Sequence, residues 1–543
     1  MGCFNNPLAY DASHSGDAWS LITEVTTEEV AKILSSMPSK TSPLDILPTT
    51  ILKSCSDIFS VVISTMANLS FSEGRFPTDF KSAQLKPLLK KPGLDDDVLA
   101  NYRPISNLTT ISKVIEKLFL HRLNDHISKS RNLNMRQSAF RCHHSTETAL
   151  QAILNDVYRS VGRKQLTLLV GLDISAAFDT LDHATLLKRL EHTFGISGAA
   201  LAWVSSYLAG RTQFVKIGEK SSTTHSCCYG VPQGSVLGPV LFTLYTSPVA
   251  GIIEGAGLRH HQYADDTQLY VSFGRDSKDR AVESIEELTA IVRDWFQSNG
   301  LMLNPDKSEA VLIGTRQRLS TVDLPSISIA GTTIDLSDNL KSLGVTIDGD
   351  LTFDRHVRNL CKTSYFNIRA LRQIRSSLTR DTANTVASAI VSTRLDYCNS
   401  LLGGITNENI SRLQRVQNSL ARIVSGSRRI DHITPILRDL HWLPIKSRIE
   451  YKIGCLTFRA KVTQQPSYLA ALLVPHQPAR ALRSSELNRL SVPFVSSKIE
   501  TRAFSVAGPT VFNSLPETVK NSTSMIEFRK LLKTFLFGQA YGI

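Results

Sequence analysis

The sequence predicts an α+β fold on three observations. Apolar residues recur at helical spacing near the N-terminus, short apolar runs ending in aspartate punctuate the middle, and the last third reads as arginine-rich helices. The composition suits such a fold: of 543 residues, 42% are hydrophobic and 20% charged, which excludes a disordered or collagen-like chain. A chain this long builds a core without disulfide staples. Its 61 Lys and Arg outnumber its 48 Asp and Glu, for a formal net charge of +13. That surplus points toward nucleic acid or an anionic membrane surface.

Taken in order, Thr26 or Thr27 caps a helix running through Val30, Ile33 and Leu34. Leu85 to Arg103 reads as a loop-rich basic region carrying Lys86, Lys90 and Lys91, with Asp95, Asp96 and Asp97 inside it. Ile111 to Ile127 has helical periodicity. The run Leu166 to Leu172, ending in Asp173, is short and fits a buried strand. Asp182 then caps a helix through Leu186, Leu187 and Leu190. A strand ending at Tyr263-Ala264, a turn at Asp265-Asp266 and alternation of Leu269, Val271 and Phe273 predict a β-hairpin with carboxylates at its tip. An amphipathic helix from about Ser277 to Ser298 closes at Asn299-Gly300, Asn304-Pro305 makes a turn, and Ala310 to Ile313 forms a strand. From His356 onward the pattern is mostly helical.

The uncharged stretch Ser221 to Ile253 is long enough to suggest a membrane span, but Pro232, Pro239 and Pro248 with Gly230, Gly234 and Gly238 break it into core-sized pieces. No membrane partner is expected. The eight cysteines are scattered without a C-x2-C pair, which predicts a reducing compartment and no zinc knuckle.

Two strand ends carry carboxylates: Asp173, and the pair Asp265 and Asp266. Aspartate favours turns, so a structural reading stands beside a chemical one. If the strands are neighbours, the crowded carboxylates need divalent cations, and hard oxygen ligands select Mg2+ or Mn2+. Two such ions about 4 Å apart clamp the attacking and leaving oxygens of a phosphoryl transfer.

The words around these aspartates narrow the choice. VGLDISAAFDTLDH (Val170 to His183), GVPQGSVLGPVLF (Gly230 to Phe242), QYADDTQLYV (Gln262 to Val271), SNGLMLNPDKSE (Ser298 to Glu309) and LKSLGVTID (Leu340 to Asp348) occur in this order. Upstream stand SKTSPLDILPTTILK (Ser39 to Lys53), KPLLKKPG (Lys86 to Gly93), NYRPISNLTTISKVIEKL (Asn101 to Leu118) and QSAFRCHHSTETAL (Gln137 to Leu150). The ordered set resembles the reverse transcriptases of non-LTR (LINE-like) retrotransposons.

The resemblance implies an RNA-directed DNA polymerase with a right-hand architecture. An N-terminal extension would occupy residues 1–75. Fingers and an antiparallel-sheet palm with its YADD hairpin would occupy 76–355, and a basic, mainly helical thumb and C-terminal region 356–543. Asp173 and Asp265 would hold two Mg2+ ions, with Asp266 assisting, and Lys307 would donate a proton to the leaving pyrophosphate. Phe178 would gate the ribose 2′-hydroxyl, or simply fill core. Gln233 and Gly234 would meet template and incoming base, and Arg103, aided by Lys90, the triphosphate. Leu343 and Gly344 would grip the primer end. The implied partners are an RNA template, a DNA primer, their duplex and dNTPs, in a ribonucleoprotein of nucleus and cytoplasm. No endonuclease segment is recognisable, which suggests the polymerase portion of a longer protein.

Three rival readings follow from the same words. An RNA-dependent RNA polymerase is disfavoured by Phe178. A group II intron-type enzyme shares the YADD core. A catalytically inactive, truncated or co-opted retroelement protein would bind nucleic acid only. The charge distribution adds one expectation: His356 to Ile543 holds 27 Lys and Arg against 10 Asp and Glu, whereas the preceding residues net −4. The basic last third is therefore where a nucleic-acid backbone would be gripped.

Overall fold

A computed structural model describes residues 7–175, 178–477 and 488–543. It has mixed α/β architecture, and its strands in chain order are β1 (Ser82–Leu89), β2 (Tyr102–Asn107), β3 (Leu166–Ser175), β4 (Arg211–Ile217), β5 (Lys220–Ser221), β6 (His225–Cys227), β7 (Arg259–Tyr263), β8 (Asp266–Phe273), β9 (Met302–Ile313), β10 (Ser326–Ile329), β11 (Thr332–Asp335), β12 (Asn339–Ser342) and β13 (Val345–Asp348). Two compact units divide the chain, the first made of Met1–Asn134, Asp173–Gly257 and Leu288–Asn304, the second of Met135–Leu172, Leu258–Glu287 and Pro305–Ile543.

In the first unit, β2-β1-β4-β5 form a sheet with β6 also on β4. The expected loop beginning at Leu85 is instead the end of β1, which pairs antiparallel with β2 and parallel with β4. Pro87 lacks a ladder donor, which conflicts with a place in a paired strand. Its position resolves the conflict: Pro87 lies opposite Pro104, beyond Leu85, where pairing with β4 has already stopped. Helices surround an aromatic core in which Phe119 stacks on Trp203 at 4.1 Å, with Phe71 and Phe76 edge-on to the indole. The helix Thr27–Ser36 starts at a capping box in which Thr26 and Glu29 satisfy each other's backbone N–H, and Asp182 caps His183–His192 as its position suggested.

In the second unit the sheet order is β7-β8-β3-β9. The helix Thr146–Gly162 packs Leu150, Leu154 and Tyr158 into a core shared with Leu169, Tyr270, Val311 and Ile313. The expected turn at Asn304-Pro305 is absent, because β9 runs unbroken from Met302 to Ile313. An edge strand tolerates proline, and β9 is at the edge of this sheet. Two hairpins follow, β10–β11 and β12–β13. After them come helices, the longest being Asp354–Ile374, Asn407–Ser425, Ile445–Thr463 and Met525–Tyr541. Among the described residues no helix is long and apolar enough to cross a membrane.

Candidate active site

β7 and β8 pair antiparallel from Arg259↔Tyr270 to Tyr263↔Asp266, so Ala264 and Asp265 form a two-residue turn. Ala264 has φ of +58°. A positive φ at the first central position is a place for glycine, and alanine there is strained. The strain is held from outside by Gln137, which is 2% exposed. Its Oε1 accepts from the N–H of Ala264 at 2.9 Å and of Ala139 at 3.0 Å, while its Nε2 donates to the Ala264 carbonyl at 3.1 Å. The backbone around Gln137 lies parallel to β7, with Gln262 N–H donating to Arg136 O and Ser138 N–H to Gln262 O, both at 2.9 Å.

Asp265, half-buried, occupies the turn, and the exposed Asp266 opens β8. β3 pairs with β8 from Leu166↔Phe273 to Leu172↔Thr267. Asp173 is the next residue of β3 after Leu172, and Asp266 the last before Thr267. Behind the hairpin, His260 and His261 are buried, and His261 Nε2 shares a 2.8 Å hydrogen bond with Ser138 Oγ. Burial drives both imidazoles down, His260 to about 4, so they stay neutral. They are packing residues of β7.

In the first unit, the segment Gly230 to Gly234 is built by close backbone approach. Val231 N–H donates to Phe178 O at 2.9 Å, and a Cβ at Gly230, which has φ of +77°, would meet Asp179 O at 2.7 Å. The Phe178 ring lies 4.8 Å from that of Phe242, so it is half-buried against core. Gln233 Nε2 donates to both Asp179 carboxylate oxygens at 2.9 Å. Crowding by protein atoms raises the Asp179 pKa, and the Gln233 amide opposes that rise. Gly234 abuts Ser106 O, and Ser106 N–H donates to Gln233 O at 2.7 Å, tying the segment to β2. A buried carboxylate anchors the next turn: Glu116 Oε2 accepts from Val236 N–H at 2.8 Å and Leu237 N–H at 3.1 Å.

Arg103 is exposed on β2 opposite Leu88. Lys90 is exposed too, and its ammonium donates to Ala100 O at 2.8 Å. Lys307 is exposed within β9. Leu343 and Gly344, with φ of +47° and +81°, form the two-residue turn of β12–β13, and Tyr397 Oη donates to Leu343 O at 2.7 Å. Among the described residues the carboxylate triple whose oxygens lie within 4.8 Å of one another is Asp95, Asp96 and Asp97, at the surface. Those residues shape a turn, with Asp97 N–H donating to Asp95 Oδ1 at 3.0 Å.

Arg369 and Arg372 are exposed on the helix Asp354–Ile374. Arg375 is not part of it. It lies beyond the helix end and donates to Ile423 O, Val424 O and Leu378 O at 2.8–2.9 Å, stitching two helix ends together. Gln137 and Glu116 are the positioning residues that sequence reasoning missed. Both lie inside segments that carried the family resemblance, yet nothing local marks either as a backbone ligand.

Residues 89–347 match the family described as reverse transcriptase (RNA-dependent DNA polymerase). Those residues thus carry a reverse-transcriptase domain, and the chain is similar to the RNA-directed DNA polymerases of non-LTR retrotransposons. It is 27% identical over 471 residues to the "Probable RNA-directed DNA polymerase from transposon BS" of Drosophila melanogaster, covering 85% of this chain and 51% of that one. It is equally 27% identical over 429 residues to the RNA-directed DNA polymerase from mobile element jockey of the same organism, covering 77% and 46%. The chain spans about half the length of the curated relatives it matches. Among solved structures, apo telomerase from Candida tropicalis has a TM-score of 0.38 at 11% identity, covering 76% of this chain and 74% of that one.

Proposed function

We propose that this chain is an RNA-directed DNA polymerase that copies retrotransposon RNA into DNA. The observation that carries the proposal is the clamped Ala264-Asp265 turn that opens onto β8, which pairs with β3 as far as Leu172, inside the matched domain. The donor set fits divalent metal: Asp173, Asp265 and Asp266 offer hard carboxylate oxygens on half-buried or exposed side chains at strand ends. Mg2+ bound by these residues would supply charge neutralisation and activation of the primer hydroxyl.

The chain's own residues do the rest. The primer 3′-hydroxyl attacks the α-phosphorus of a dNTP, and pyrophosphate leaves. Arg103, with its planar fork, binds the triphosphate, and Lys90 adds charge beside it. Phe178 excludes a 2′-hydroxyl by bulk while packing on Phe242. Gln233 and Gly234 meet the template and incoming base, Lys307 protonates the leaving pyrophosphate, and Leu343-Gly344 hold the primer end. In this reading residues 1–75 are an N-terminal extension, 76–355 fingers and palm, and 356–543 a thumb and C-terminal region whose net charge of +17 faces the duplex. The exposed Arg369 and Arg372 support that last assignment. The protein would act in a ribonucleoprotein of cytoplasm and nucleus.

The test is extension of a DNA primer on an RNA template by the purified chain with dNTPs and Mg2+. Wild type is expected to extend and Asp265→Asn to fail. A folded wild type that binds the primed template but adds no nucleotide with Mg2+ or Mn2+ overturns the proposal.

A further inference from the structure

Two buried arginines in the first unit differ in one respect. Arg189 is fully satisfied: it pairs with Asp11 at 2.6 Å and donates to Tyr245 O, Pro7 O and Asn299 Oδ1. Arg211, the first residue of β4, is 3% exposed, and only its Nε has a partner, the Tyr207 carbonyl at 2.7 Å. Its guanidinium carbon lies 4.2 Å from the Tyr207 ring centroid and 5.5 Å from that of Phe76, so the rings cover the group. Both terminal nitrogens are buried without a hydrogen-bond partner. Among the described residues no carboxylate pairs with them.

A second cation shares this surrounding. Lys81 is half-buried, its ammonium 3.5 Å from Ser206 Oγ, and burial together with the Arg211 charge lowers its pKa. Lys81 and Arg211 both line a cavity of about 330 Å³ whose wall also includes Thr212, Gln213 and the segment Gly230 to Gln233. The one carboxylate in its wall, Asp179, is already held by Gln233 through both oxygens. A buried guanidinium with four unpaired N–H bonds, beside a half-buried ammonium and a cavity whose one carboxylate is already engaged, is an electrostatically incomplete arrangement. Ring contact offsets part of that cost but neutralises no charge.

We propose that Arg211 and Lys81 form a phosphate-binding subsite in this cavity. A tetrahedral phosphate presents two oxygens to the planar edge of Arg211 and a third to the Lys81 ammonium. The terminal nitrogens are shut away in the present state, so binding is coupled to a side-chain rearrangement, and Lys81 on its flexible stem is the cation able to make it. The cavity exceeds a bare phosphate, so the group arrives on a larger carrier, either a nucleotide or a nucleic-acid strand. Only the choice of those carriers rests on the polymerase reading; the cation pair stands without it.

Binding measurements on the full chain test this without any need for catalysis. Inorganic pyrophosphate should raise the melting temperature above that in chloride of equal ionic strength. Lys81→Met and Arg211→Met should weaken its binding about ten- to a hundredfold, the range carried by charge-assisted hydrogen bonds. Arg211→Met should also leave the melting temperature without pyrophosphate unchanged or higher, because it removes a buried unpaired charge. A lower one would mark Arg211 as a structural residue and sink the proposal, as would pyrophosphate binding equal in wild type and Lys81→Met. The carrier is read from two further titrations. If the variants lose affinity for a labelled oligonucleotide and lower its salt slope, the phosphate belongs to a strand; if they lose affinity for dGTP instead, to a nucleotide. Unaltered affinity for both probes overturns the subsite.

Discussion

Two hairpins of the second unit have turns of equal length and opposite construction. The β12–β13 turn, Leu343-Gly344, bends with both residues at positive φ and a glycine second, the local chemistry that such turns favour. The β7–β8 turn, Ala264-Asp265, puts alanine where glycine belongs and is held by Gln137 from a distant part of the chain. One turn is shaped by its own residues, the other by its surroundings. The difference teaches that the turn carrying the carboxylates is over-determined, which is how strained backbone persists at functional sites.

The comparison can be broken most severely at Asp265. If Asp265 is the metal ligand proposed above, Asp265→Asn should lower primer extension by about a thousandfold or more while the chain stays folded. Next comes the clamp. Gln137→Ala leaves buried backbone groups of Ala264 and Ala139 unpaired, at about 1–3 kcal/mol each before water recovers some, so denaturant unfolding should show a loss of about 2–4 kcal/mol. Extension should fall about a hundredfold in the fraction that remains folded, as displaced catalytic groups do. Equal losses of extension and of folded protein would reduce Gln137 to a packing residue.

Smaller effects sharpen the contrast. Gly344→Ala must adopt φ of +81° with its Cβ 3.4 Å from the Tyr397 ring, so chemical denaturation should register about 1–2 kcal/mol of destabilisation. Ala264→Gly should do the reverse, gaining up to about 1 kcal/mol as relief of strain outweighs glycine entropy. Tyr397→Phe removes one bond to Leu343 O and should cost about 0.5–1.5 kcal/mol. Should Ala264→Gly destabilise instead, the idea of a strained, externally held turn falls.

The same contrast explains what the sequence made legible. Caps such as Thr26 and Asp182 are local, so their spacing revealed them. The strand before Asp173 and the carboxylate hairpin were visible in length and alternation. Pro305 was misread as part of a turn because proline marks loops unless its strand lies at a sheet edge, and that is tertiary information. Gln137 and Glu116 act on backbone groups 127 and 120 positions away, and glutamine or glutamate in a helical or loop segment carries no sign of such a partner. The resemblance to a family was legible where motif words repeat; the side chains that hold those segments in place were not.

β9 has a consequence for the protein in solution that its chemistry does not exhaust. Its outer side is partly occupied, since Ala310 O accepts from Ser337 N–H at 2.9 Å. The stretch before Ala310 includes Pro305, which offers no donor, followed by the exposed charges Asp306 and Lys307. Such an edge resists recruitment of a strand from another molecule. Replacing Pro305 and Lys307 with valines would turn a long ribbon into a template for self-association. Lys307 thereby guards colloidal behaviour, independently of the role proposed for it in catalysis.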